Sequence, residues 1–135
     1  MPKTEAELAK WMQDNCFNFD HYSIGGNPIP EGFGMEQSGG IFFWYYTEKG
    51  EKHNLKAFPD EASIVEYAFN AIRSDPWANA HCICATENES MVKELAQNLT
   101  AMNIEFKEDV IPYFGKERPV YRIFVFGCDH LRTFI

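Results

Sequence analysis

The chain has 135 residues, 45% of them hydrophobic and 16% aromatic, a composition that suits one folded domain and excludes a disordered segment. Its formal charge is -8, from 12 basic and 20 acidic residues. Direct binding to nucleic acid is therefore disfavoured, and a basic protein partner is favoured. Residues 1–66 carry most of the excess, with 11 acids against 5 bases, whereas residues 67–135 carry 9 against 7. No window approaches the roughly 18 apolar residues of a membrane span. The stretch Met1-Pro2-Lys3-Thr4-Glu5 lacks the apolar core of an export signal. A cytoplasmic location is expected, with Cys16, Cys82, Cys84 and Cys128 as free thiols.

Thr4-Glu5-Ala6-Glu7 reads as a capping box, and Leu8, Trp11, Met12 and Cys16 recur at helical spacing, which predicts a helix over 5–16. From His21 to Gly40 the chain is punctuated by Gly and Pro, with short strands expected near 21–24 and 31–37. Ile41 to Thr47 are all β-branched or aromatic, and a Gly pair precedes them while Lys49-Gly50 follows. That pattern predicts a strand entering a tight hairpin and returning as Glu51 to Phe58. Ile41 to Phe43 is expected to be its central part, and Trp44 to Glu48 to reach a partner-facing rim. Asp60 caps a second helix whose stripe is Ile64, Val65, Ala68, Phe69 and Ile72, and Asp75-Pro76 stops it. His81 to Thr86 is a buried strand. Asn88 caps a third helix, which Asn103 closes in the left-handed conformation. Ile104 to Phe114 and Pro119 to Gly127 form an antiparallel pair joined by Gly115-Lys116-Glu117-Arg118. Residues 1–135 thus read as a single α+β domain with a mainly antiparallel sheet and about three helices packed on it.

Chemical motifs are scarce. His81, Cys82, Cys84, Cys128 and His130 are the nearest approach to a metal set, with Cys82 and Cys84 expected on one strand face. Cys-x-Cys in an apolar strand is commonly core packing, and structural zinc sites space their cysteines more widely, so no metal is expected. His21, His53, His81 and His130 lie in no nucleophile motif, and the glycines form no phosphate loop. Neither catalytic residues nor a cofactor are expected. Phe42 and Phe43 suit a core, whereas Tyr45, Tyr46 and Trp77 suit a core or a protein interface equally. Glu31, Glu36, Glu48, Glu51, Asp60 and Glu61 border the aromatic hairpin in sequence, as the rim of a surface that binds a basic protein would.

Glu31-Gly32-Phe33-Gly34, Phe43 to Gly50, Ile64 to Phe69, Asp75 to Cys82 and Pro119 to Val125 together resemble small bacterial immunity proteins of polymorphic toxin systems, including the contact-dependent-inhibition type. The resemblance implies a cytoplasmic protein without catalysis that binds a cognate toxin C-terminal domain. Such toxins are often nucleases and basic, which fits the acidic composition. Tyr46, Glu48, Glu51, Asp60 and Glu61 are the expected partner-binding residues, because the charge excess lies beside the aromatic hairpin. Two other readings stay open at this level. One is a small enzyme with a pocket lined by Trp44, Tyr46, His53 or His81, and the other is a protein-binding adaptor domain.

Overall fold

The computed structural model describes residues 1–112 and 117–134. Its elements are α1 (Glu5–Asp14), β1 (Tyr22–Ser23), β2 (Glu31–Ser38), β3 (Ile41–Glu48), β4 (Glu51–Phe58), α2 (Glu61–Ser74), β5 (Ala80–Thr86), α3 (Glu89–Ala101), β6 (Phe106–Ile111), β7 (Val120–Phe126) and a closing 3-10 helix (Gly127–Phe134). The class is α+β with mainly antiparallel pairing, as the sequence predicts. The strands belong to two sheets, and the chain divides into two compact units, Met1–Ala78 and Asn79–Ile135. Tyr113 and Phe114 of the predicted strand and Gly115 and Lys116 of the predicted loop lie outside the described residues. Among the described residues, no helix is long and apolar enough to cross a membrane.

In the first unit the sheet order is β1-β2-β3-β4, parallel between β1 and β2 and antiparallel elsewhere. Thr4 Oγ1 accepts the Glu7 amide at 3.1 Å, and Asp60 Oδ1 accepts the Ser63 amide at 2.8 Å, so both predicted caps form. Leu8 and Met12 from α1 and Ile64, Val65, Ala68 and Ile72 from α2 are buried with Met35 and Trp44 of the sheet. Helix α1 stops two residues earlier than its periodicity suggests. Cys16 takes a left-handed φ of 58°, and the Phe17 amide donates to the Met12 carbonyl, which closes the last turn.

Strand β3 is interior, with β2 on one side and β4 on the other. Burial peaks at its midpoint: Trp44 is 3% and Tyr45 6% exposed, while Ile41 at one end is 44% exposed. This corrects the expected placing of the buried part at Ile41 to Phe43. The middle of the strand is the part flanked along both edges, and Trp44 belongs to the same core as α1 and α2. A bulge leaves Leu55 of β4 unpaired, since Trp44 sits opposite Lys56 and Tyr45 opposite Asn54. At Gly32, φ is 143°, and an added Cβ would stand 2.1 Å from the His21 carbonyl oxygen. Only glycine lets β1 approach β2 this closely.

The second unit has sheet order β5-β7-β6, all antiparallel, with β7 in the middle. Helix α3 buries Val92 and Leu99 against Ile104, Ile123 and Val125. Asn88 caps it, and Asn103 closes it at φ 63°. A bulge at Ile83 puts Cys82 opposite Phe124 and Cys84 opposite Ile123. Adjacent residues of β7 face opposite ways, so the two thiols lie on opposite faces and not on the one face that simple alternation predicts. Cys82 and Cys84 are free thiols.

Candidate partner-binding surface

Two tight turns, at opposite ends of β3, set the register of the first sheet. Gly39-Gly40 joins β2 to β3 and Lys49-Gly50 joins β3 to β4, and all four residues have positive φ, as two-residue hairpin turns matched to strand twist require. These turns fix the register. Glu31 pairs with Glu48, and Glu48 pairs with Glu51. Three carboxylates therefore stand in one cross-strand row. Residues directly opposite one another have Cβ atoms about 4.5–5.5 Å apart, and like charges at that spacing destabilise a sheet.

Tyr46 is wired into this row. Its hydroxyl lies 2.6 Å from Glu31 Oε1 and 3.2 Å from Glu48 Oε2, donating to the acids. The Tyr46 phenol is held well above its ordinary range, first by the hydrogen bond to Glu31 and then by burial and the two carboxylate charges. It remains a neutral donor at any ordinary pH. The Tyr46 ring packs on Phe33 at 5.2 Å between centroids, so the acidic row rests on an aromatic base. His53, opposite Tyr46, brings Nε2 to 3.7 Å from Glu51 Oε2.

Tyr46, Glu48 and Glu51 are thus brought together, but Asp60 and Glu61 are not part of the group. They follow the far end of β4, and the seven steps from Glu51 to Phe58 span roughly 23 Å. Both have local tasks. Asp60 caps α2, and the bond from Ser63 holds its carboxyl below the usual range. Glu61 Oε2 accepts the Glu5 amide at 3.0 Å, and Glu5 Oε2 accepts the Gly25 amide at 2.8 Å. Glu5, Glu36 and Glu61, with Met35, Gln37 and Phe42, line a small notch of about 140 Å³ at that end.

Glu31 belongs to the row, although it was legible only as one of six bordering acids. Counting outward from Gly39-Gly40 as a two-residue turn would have placed it opposite Glu48. Trp77 is 48% exposed and outside the row, its amide donating to Asp75.

Trp44 lines a cleft of about 150 Å³ with Tyr22, Phe33, Tyr67 and Ala71, while His53 is exposed on the hairpin. His81 belongs to the second unit, where its ring stacks on His130 at 3.9 Å and His130 Nδ1 lies 2.9 Å from the Gly127 carbonyl. Among the described residues, no three His, Cys, Asp or Glu side chains are grouped to hold a metal ion.

Comparison with protein-family models, with curated proteins and with solved structures returned no match.

Proposed function

We propose that this chain is a bacterial immunity protein, acting without catalysis in the cytoplasm, that neutralises a cognate toxin domain, a basic nuclease, through the hairpin end of its first unit. The observation that carries this reading is the row Glu31, Glu48 and Glu51. Tyr46 bridges Glu31 and Glu48 and His53 lies beside Glu51, but like charges directly opposite one another still destabilise a sheet, a cost that a cationic partner relieves. Paired on adjacent strands, the three acids offer a line of negative charge to a surface built for phosphates. Tyr46 supplies an aromatic anchor with a polar tip beside it. Docked there, the chain covers the nuclease active site or blocks substrate access.

The test is co-expression with the C-terminal domain of the large toxin encoded next to this chain, followed by co-purification and a nuclease assay. Restored growth, a stable complex and lost nuclease activity are expected. A neighbouring toxin domain that neither binds the chain nor is inhibited by it would overturn the reading.

A further inference from the structure

The aromatic cleft of the first unit has the make-up of a receptor for one cationic side chain. On the sheet, Phe33 stacks on Trp44 at 5.8 Å and 7°, and Tyr22 stacks on Phe33 at 6.2 Å. On α2, Tyr67 meets Trp44 edge-on at 5.7 Å, and Ala71, one turn further, leaves room where a larger side chain would fill it. The space between, about 150 Å³, suits a planar group about the size of benzene. Tyr67 is 37% exposed, so the cleft reaches solvent.

Charge selects the occupant. Tyr22 donates its hydroxyl to Asp75 Oδ2 at 2.7 Å, and Asp75 Oδ1 accepts the Trp77 amide at 2.9 Å. A carboxylate has about four lone-pair sites, so Asp75 keeps capacity for a further donor. The flank of the cluster already seats a cation, with Lys56 Nζ 4.8 Å from the Tyr67 ring centroid. A guanidinium is planar and stacks on aromatic faces such as those lining the cleft, and Asp75, bonded to Tyr22 of that lining, adds negative charge beside it.

We propose that the cleft formed by Tyr22, Phe33, Trp44, Tyr67 and Ala71, with Asp75 beside it, binds an arginine side chain of the partner. The occupant's identity rests on the reading of a basic protein partner, but the cleft can be probed without one. The probe is N-acetyl-arginine-methylamide, with the neutral citrulline analogue as control, titrated while the indole N–H resonances of Trp11, Trp44 and Trp77 are followed by NMR. The expected result is a saturable shift of the Trp44 resonance with the arginine probe, at least about fivefold weaker with citrulline. Ala71→Met, which plugs the cleft, should abolish the shift in a protein whose spectrum is otherwise that of the folded chain. Tyr67→Ala, at the exposed edge, should weaken it severalfold and serves should the plug variant fail to fold. No Trp44 shift, equal shifts from both probes, or a shift that survives both substitutions would overturn the proposal. With a toxin complex in hand, Ala71→Met should speed dissociation about tenfold. A complex indifferent to Ala71→Met would remove the cleft and leave the immunity reading standing, while arginine binding in a chain that captures no toxin would do the reverse.

Discussion

The Tyr45 side chain lies across Gly34, its direct partner on β2: a Cβ added at Gly34 would stand 2.4 Å from the Tyr45 hydroxyl oxygen. The glycine gives up its own side-chain packing, and the tyrosine covers the gap and is itself buried. Gly34→Ala should therefore lower stability by about 1–3 kcal/mol, the usual range for overpacking. In a Tyr45→Ala background the same change should cost much less. Urea unfolding of the four members of this cycle measures the coupling, and simple additivity would contradict the geometry.

The acidic row predicts a conflict between stability and binding. Glu48→Lys with Glu51→Lys should slow association with the proposed toxin partner by about an order of magnitude at low salt and flatten the usual acceleration as salt is reduced. Glu51→Lys alone sets a lysine opposite Glu48 and should raise the urea midpoint of the free protein while weakening the complex. Stopped-flow association and equilibrium unfolding check the two halves. An unchanged rate in the double variant would move the contact away from this hairpin.

Asp60 gives the pH-dependent case. Its folded pKa is depressed by the bond from Ser63, so it contributes stability above the unfolded value of about 4. That contribution is lost as the pH falls through the lower folded value. Asp60→Ala should lower the melting temperature by a few degrees at pH 7, and Asp60→Asn, still a good cap, by less. The gap between wild type and Asp60→Asn should close in acid, as the pH falls through the depressed folded value. Thermal melts across that range provide the measurement.

The bulge at Ile83 separates two thiols that are near neighbours in sequence. Cys82 is exposed, and Cys84 is half-buried with its thiol pKa pushed up by burial and then by Cys82. Ellman's reagent should label Cys82 quickly in the native protein and Cys84 only slowly. Cys82→Ser should remove the fast phase. Loss of that phase in Cys84→Ser instead would mean the bulge does not turn the strand as described.

The helices were legible because their signals are local. Thr4, Asp60 and Asn88 cap where they were expected to, and Asn103 closes α3. The early end of α1 was not legible, because cysteine is an uncommon residue in the left-handed position that Cys16 adopts. Strand existence was legible, but strand partnership was not. Two-residue β1 is too short to carry a period, and its parallel pairing depends on the room left at Gly32. Both bulges escaped because an unpaired residue is defined by the partner strand and not by its own. The same limit governed the site. Composition located the acidic half of the chain, but only register could join Glu31 to Glu48 and Glu51 and separate them from Asp60 and Glu61.

The Lys49-Gly50 turn has a bearing on encounter as well as on folding. With two residues and both φ values positive, it leaves the tip of the hairpin very little choice of shape. A partner arriving at Glu48 and Glu51 meets charges whose spacing was settled when the strands paired. Little ordering remains to be done at the moment of contact, so more of the electrostatic attraction survives as affinity. Lengthening this turn with glycines would leave every carboxylate in place chemically and still blunt recognition, because the acids would then have to be gathered anew at each collision.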